Sequence, residues 1–235
     1  MCARIKKCLI GAKYTEEIKE LRDLGIDIIA LPRNPYLDEE INNHADILTF
    51  NCRNDILLID EHIKGEIDLI LSGYKTLPCK GIESPYPKDI KLNATLLGDR
   101  LICNKQHASK ELLVWAENNS IEIISTKQGY CKCNLCVISN NAVITEDDNL
   151  ASLLKKYQID VLKISKGFIH LSDKHYGFIG GASAKISPNE IYFSGDLSAH
   201  PDYQDIISFL DTHNVKPIFN KSRKLSDFGG IVSLN

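Results

Sequence analysis

An internal repeat is the sequence feature that most constrains this fold. In residues 6–32, "KKCLIGAKYTEEIKELRDLGIDIIALP", apolar residues at helical spacing and a glycine stop lie between two β-branched segments. The same order of strand, amphipathic helix and strand returns in residues 99–126, 141–165 and 189–219. Another segment, residues 55–73, shows two strands with almost no helix. The chain is therefore predicted to contain five α/β units, one of them degenerate.

Hairpins are predicted to join these units. After each second strand a polar loop leads into a two-stranded hairpin whose second arm begins the next unit, with Asn, Gly, Asp or Pro at the turn. The four complete hairpins are residues 47–59, 93–103, 135–145 and 183–193. The fifth is split by the chain ends, so "GGIVSLN" is predicted to pair with "KKCLIG".

The loops that enter the hairpins recur at near-even intervals, roughly 40 to 50 positions apart. Their entry residues are His44, Asn93, Cys133, Gly180 and Gly229. A closed repeat array has such spacing, and its equivalent loops face one central axis. We therefore expect a single domain over residues 1–235, an α/β propeller of five pseudo-symmetric units with an axial pocket. An ordinary doubly wound α/β sheet, which shares the order of elements, is the alternative.

Composition narrows the class of protein. A chain of 235 residues with 43% hydrophobic content can bury a full core, and a net charge of -3 with scattered Lys and Arg disfavours nucleic acid as a partner. No apolar run is long enough to span a membrane, and the apolar run in "MCARIKKCLI" is too short for the apolar region of a secretory signal. We expect a cytoplasmic protein whose eight cysteines, Cys2 among them, are reduced thiols. The oligomeric state is left open, with a homodimer as one alternative.

Two short segments carry candidate chemistry and a resemblance. "NHADILTF" places His44 and Asp46 directly before an apolar strand, and "KCNLCVIS" places Cys133 and Cys136 before another, two units further on. This combination, in a fivefold array, resembles the pentein fold of the guanidino-group-modifying enzymes, which include deiminases, dimethylaminohydrolases and amidinotransferases. Relative to those enzymes the order of units looks circularly permuted, which a closed ring whose termini meet tolerates.

The resemblance implies roles for individual residues. His44 would be the general acid/base, Asp46 its carboxylate partner or a substrate ligand, and Cys136 the nucleophile, with Cys133 as the second choice for that role. Asp227, in the loop "SDFGGIVSL", would hold the cationic group of the substrate. The residues expected to line the axial pocket as substrate-binding positions are Asn93, Cys133, Gly180, Gly181 and Asp227.

A nearer resemblance is to an uncharacterised bacterial family of the same fold, through "GYCKCN", "YGFIGGAS" and "GDLSAHPD". The leading functional prediction is a cofactor-independent hydrolase or transferase that acts on a small guanidine or amidine through a covalent thiol intermediate. A non-catalytic pentein that binds a ligand or a protein is the first alternative. The second is a metal-binding protein that uses Cys131, Cys133 and Cys136, which are typical zinc or iron-sulfur ligands but lack a fourth at matching spacing.

Overall fold

Five small sheets of three strands each make up the part of the chain that this computed structural model describes, residues 4–173 and 175–234. In every sheet the central strand pairs antiparallel with one neighbour and parallel with the other. The strands are β1 (Lys7–Gly11), β2 (Asp27–Leu31), β3 (Thr49–Asn51), β4 (Ile56–Asp60), β5 (Lys75–Cys79), β6 (Thr95–Leu97), β7 (Arg100–Cys103), β8 (Glu122–Ser125), β9 (Cys136–Ser139), β10 (Ala142–Thr145), β11 (Asp160–Lys163), β12 (Ser183–Ser187), β13 (Glu190–Phe193), β14 (Lys216–Phe219) and β15 (Val232–Leu234). The α-helices are α1 (Thr15–Asp23), α2 (Ala45–Leu48), α3 (Glu61–Ile67), α4 (Lys110–Asn118), α5 (Cys131–Asn134), α6 (Asp148–Lys156) and α7 (Tyr203–Thr212).

The described residues divide into two compact units. The His44 unit consists of residues 5–131 and 231–234, and the Cys133 unit consists of Arg4 and residues 132–173 and 175–230. Three sheets belong to the His44 unit, with strand orders β15-β1-β2, β3-β4-β5 and β6-β7-β8. The Cys133 unit contains β11-β10-β9 and β12-β13-β14. The single domain, the closed propeller and the circular permutation stay predictions.

The predicted hairpins are formed. Antiparallel pairs join β3 to β4, β6 to β7, β9 to β10 and β12 to β13. The split hairpin is also confirmed, because Lys7, Cys8 and Leu9 of β1 pair with residues 232–234 of β15.

The repeat extends to the way the helices end. After α1, α4, α6 and α7 the chain turns at Gly25, Ser120, Gln158 and Asn214, each with a positive φ. In each case the next residue donates its N–H to the carbonyl five positions earlier, and that next residue is a buried Ile or Val. This left-handed stop satisfies the last carbonyls of the helix and directs the apolar residue into the core. Four units therefore share one helix terminus in addition to one order of elements.

The unit predicted to be degenerate differs from its prediction. Between β4 and β5 the seven-residue helix α3 forms, because the Asp60 side chain accepts the His62 backbone N–H at its start. Residues 55–73, predicted to contain two strands, contain only one, because this helix and a turn in which Leu69 is 90% exposed follow β4. The strand that pairs with β4 begins only at Lys75.

Apolar side chains fill a separate core in each unit. The core of the His44 unit is built around β3, β4 and α4, and that of the Cys133 unit around β9, β10, β13 and α7. The seven described cysteines are buried and form no disulfide, whereas Cys2 lies outside the described residues. Among the described helices, none is long and apolar enough to cross a membrane.

Candidate functional site

His44 lies at the start of a single helical turn rather than directly before a strand. Its carbonyl accepts the N–H groups of Ile47 and Leu48, and the Thr49 hydroxyl donates to the Ala45 carbonyl. These bonds close α2, so β3 begins only at Thr49. The prediction that the strand begins at Ile47, directly after Asp46, is therefore wrong at its start, because Ile47 and Leu48 belong to α2. The local bonds at both ends of the segment outweigh its β-type composition.

The His44 imidazole is buried and uncharged at neutral pH. The side chain is 1% exposed, its Nδ1 lies 4.0 Å from Asp46 Oδ1, and the Tyr14 ring lies 5.9 Å away, centroid to centroid. Burial, with a smaller contribution from the Lys13 charge, lowers the pKa of His44 to about 3. A neutral imidazole can accept a proton, as a general base must.

The loop before His44 is held by a second loop of the same unit. The Lys13 N–H donates to Asn43 Oδ1 at 2.8 Å, and Lys13 Nζ donates to the carbonyls of Glu39 and Glu40. Gly11 allows this contact, because a Cβ atom there would lie 1.9 Å from the Asn43 carbonyl oxygen. The position of His44 in its unit thus depends on Asn43 and on a glycine at the end of β1.

Asp46 and Asn93 lie beside each other in the same unit. Both are 1% exposed, and Asn93 Nδ2 donates to the Asp46 carbonyl at 3.3 Å. The structure therefore brings together three of the predicted site residues, His44, Asp46 and Asn93, although it was the regular spacing of the entry loops and not the pentein motif that indicated Asn93.

In the Cys133 unit, four other predicted residues lie together. Gly181 donates its N–H to the Cys133 carbonyl at 2.9 Å, and a Cβ atom on Gly180 would lie 2.5 Å from the same oxygen. A Cβ atom on Gly181 would lie 2.0 Å from Asp227 Oδ1. Gly180 is therefore required by the backbone at Cys133, and Gly181 by the carboxylate of Asp227, because each approaches its neighbour too closely for a side chain.

Backbone donors occupy both oxygens of Asp227. Oδ1 accepts the Gly229 N–H and Oδ2 accepts the Phe178 N–H, each at 2.9 Å. The side chain is 5% exposed. We call residues 177–181 the glycine loop. Asp227 joins this loop, through Phe178, to the loop that contains Asp227 and Gly229. Its predicted role as the residue that holds a substrate cation stays a prediction.

Cys136 has different surroundings from Cys133. It is the first residue of β9, is fully buried and belongs to the apolar core of its unit. Burial raises the pKa of Cys136 to about 11, although Ser183 and the charges of Lys132 and Lys185 act in the opposite direction. Burial also lowers the pKa of Lys185 to about 8, and its Nζ is enclosed with no hydrogen-bond acceptor among the described residues. At neutral pH the thiol of Cys136 is protonated.

A further acidic residue, Glu146, was not predicted. It directly follows β10, is 5% exposed, and its Oε2 accepts the Ile179 N–H at 3.3 Å. Burial and the nearby charge of Asp227 raise the pKa of Glu146 to about 8. The only signal in the sequence is an acid immediately after a buried strand. Its neighbour Asp147 gives the same signal and is the cap of α6.

The profile of one protein family matches almost the whole chain. It is described as "Family of unknown function (DUF6873)" and matches residues 9–232. Comparison with curated proteins found no matching relative.

Solved structures of three kinds of enzyme share the fold of this chain. A cysteine-to-serine mutant of DDAH, a dimethylarginine dimethylaminohydrolase, from Pseudomonas aeruginosa in complex with citrulline is 11% identical, covers 94% of this chain and 95% of its own, and has a TM-score of 0.59. Agmatine deiminase from C. jejuni with substrate bound is 11% identical, covers 98% of this chain and 93% of its own, and has a TM-score of 0.59. The inosamine-phosphate amidinotransferase StrB1 from Streptomyces griseus is 12% identical, covers 97% of this chain and 92% of its own, and has a TM-score of 0.55. The fold is that of the pentein superfamily.

Proposed function

The chain belongs to the family of unknown function DUF6873, and we propose that it is a cysteine-dependent enzyme acting on a small guanidine- or amidine-type C–N substrate. The observation that carries the proposal is the buried and neutral His44 beside Asp46, in a fold that DDAH, an agmatine deiminase and an amidinotransferase share. The uncharged imidazole has an unprotonated ring nitrogen, as a proton acceptor needs, and a negative charge that develops on a nearby thiolate would raise its low pKa during the reaction.

Cys133 is the better candidate for the nucleophile. It lies in neither apolar core, whereas Cys136 is part of one and its high pKa keeps the thiol protonated. The carbonyl of Cys133 is fixed by the Gly181 N–H, so its loop has a defined backbone position. Cys136, the first choice from the sequence, remains the alternative.

The proposed reaction has two steps. In the first, the Cys133 thiolate forms a C–S bond to the central carbon of the substrate, the C–N bond breaks, and the leaving amine takes the proton that His44 removed from the thiol. In the second, water attacks the same carbon and the C–S bond breaks, which leaves a C=O group on the product. One proton of the water returns to the sulfur, and the other passes through His44 to the solvent. An amine in place of water makes the second step a transfer instead of a hydrolysis. The choice between a hydrolase and a transferase is thus set by the second substrate.

Site-selective labelling tests the nucleophile. The full chain is incubated with 2-chloroacetamidine at neutral pH, and the modified cysteine is identified by intact mass and peptide mapping. We expect one adduct, on Cys133, that disappears in Cys133→Ser and persists in Cys136→Ser. The buried core cysteines Cys52 and Cys103 are internal controls, since burial raises the pKa of both thiols, to about 12 and about 11.

Other labelling patterns lead to other conclusions. An adduct on Cys136 alone supports the first choice from the sequence. Labelling of Cys133 and Cys136 no faster than of Cys52 or Cys103 contradicts the enzyme proposal and favours a non-catalytic pentein that binds a ligand.

A further inference from the structure

Glu146 is the most unusual side chain of the Cys133 unit that the proposed reaction does not use. It is 95% removed from solvent, and its Oε1 has no hydrogen-bond donor among the described residues. Its Oε2 accepts one backbone N–H, from Ile179 in the glycine loop. A buried carboxyl oxygen with no donor is costly in a folded protein, so such an atom calls for an explanation.

The charges near Glu146 make the site attractive to a cation. Asp227 is close enough to raise the pKa of Glu146, and its own oxygens are occupied by the N–H groups of Phe178 and Gly229. Within the described residues no Lys or Arg contributes to the pKa of Glu146, and the charges of Lys132 and Lys185 act on Cys136 instead. Of these two neighbouring acids, Glu146 is the one whose oxygen remains available.

We propose that Glu146 is a substrate-binding residue whose Oε1 accepts N–H hydrogen bonds from the amidinium or guanidinium group of the substrate. This rests on the proposed function, because the ligand is taken to be the cationic C–N substrate. A planar cation with several N–H donors satisfies the buried oxygen and compensates the two adjacent carboxyl groups. Neither the pentein motif nor the regular spacing of the entry loops indicates this residue.

The protonation state of Glu146 supplies a measurable signature. With a pKa of about 8, the free carboxyl group is mainly protonated at pH 6.5. A bound amidinium group stabilises the ionised form, so binding must release a proton from the protein. Asp227 is the other titratable group that affects this equilibrium, and both of its carboxylate oxygens already accept backbone N–H groups, from Gly229 and Phe178.

Isothermal titration calorimetry of the full chain tests this inference without requiring turnover. Acetamidinium and methylguanidinium chloride are titrated at pH 6.5 in two buffers of different ionisation enthalpy, and tetramethylammonium, a cation without N–H groups, is the ligand control. We expect release of close to one proton per bound amidinium. In Glu146→Gln we expect about 10-fold weaker binding or more and no proton release. Asp211→Asn, which removes an exposed acid of the same unit, should behave like the wild type.

Either of two results overturns the proposal. The first is that the wild type binds acetamidinium and methylguanidinium without releasing a proton, or does not bind them. This result does not depend on the folding of any variant. The other is a folded Glu146→Gln protein with wild-type affinity and proton release. If Cys133 is labelled selectively but ligand binding releases no proton, the enzyme proposal is supported and the proposed role of Glu146 is contradicted. Proton release without selective labelling would support Glu146 as a cation site in a protein that is not an enzyme.

Discussion

The loop that carries His44 and the glycine loop are held by different side chains, neutral ones around His44 and carboxyl groups at the glycine loop. Around His44, side chains bond to the backbone: Asn43 accepts from Lys13, and Thr49 donates to Ala45. In the glycine loop, backbone N–H groups bond to the carboxylates of Asp227 and Glu146, and the missing side chains of the glycines make this possible. The first arrangement fixes a neutral base, and the second concentrates acidic groups. The two loops should therefore respond differently to substitution and to pH.

The largest expected effect is at the glycine loop. Gly181→Ala places a methyl group 2.0 Å from Asp227 Oδ1, so the carboxylate must move away from its backbone donors. We expect the free energy of unfolding, measured by urea denaturation, to fall by about 3 kcal/mol. Gly65→Ala in α3 is the matched control, because nothing lies within 4 Å of the new methyl group, and it should stabilise the protein by about 0.5–1 kcal/mol. Equal effects of the two substitutions would show that the glycine loop is not tightly packed.

A smaller loss is expected at the His44 loop. Asn43→Ala removes the acceptor of the Lys13 N–H and the donor to the Leu31 carbonyl, both of them largely shielded from water. The free energy of unfolding should fall by about 2 kcal/mol in the same urea experiment. Asn141→Ala removes an amide that donates to the Gln158 carbonyl at an exposed position, and it should cost about 0.5 kcal/mol or less. If the two substitutions lower the free energy of unfolding equally, the bonds of the Asn43 side chain do not fix the His44 loop.

The smallest expected effect has the opposite sign. Lys185→Met in the Cys133 unit removes an amine whose pKa is lowered to about 8 in the folded protein, against 10.5 when exposed. Below pH 8 the folded wild type must keep a charge in a poorly solvated position. The variant should therefore be more stable at pH 7, by about 1–2 kcal/mol once partial exposure is allowed for.

The advantage of Lys185→Met should shrink between pH 8 and 10.5. In that window the unfolded chain binds more protons than the folded one, so the stability of the wild type rises with pH. Urea denaturation at pH 7, 9 and 10.5 measures the difference, with Lys216→Met at an exposed position as the control. A difference that does not change with pH would mean that Lys185 carries no uncompensated charge.

The sequence contains enough information for the repeat and for part of each group of neighbouring site residues, the one around His44 and the one around Cys133. Helical and alternating apolar periods place the strands and helices, and turn residues place the hairpins, because these features depend on neighbours along the chain. The pentein motif links His44 with Asp46, and the structure places Asn93, indicated by the spacing of the entry loops, beside Asp46. The same spacing indicates Cys133 and Gly180, since the equivalent positions of a repeat have equivalent surroundings.

Features that depend on single contacts were missed. The helical turn after His44 depends on the Thr49 hydroxyl, which composition does not reveal. Glu146 resembles any acid at a strand end until Ile179 and Asp227 are placed beside it. Asp227 is predicted as a site residue through the resemblance, but its bonds to Phe178 and Gly229 become visible only in three dimensions.

The central claim is that His44 serves a reactive cysteine. The most direct test is the rate of alkylation of Cys133 by 2-chloroacetamidine at pH 7 in the wild type, in His44→Ala and in His107→Ala, with folding checked by circular dichroism. We predict that His44→Ala slows the alkylation of Cys133 by about 10-fold or more, in the range of general-base contributions, while leaving Cys103 unchanged. His107→Ala should match the wild type at both cysteines. An unchanged rate at Cys133 in a folded His44→Ala protein would contradict the claim.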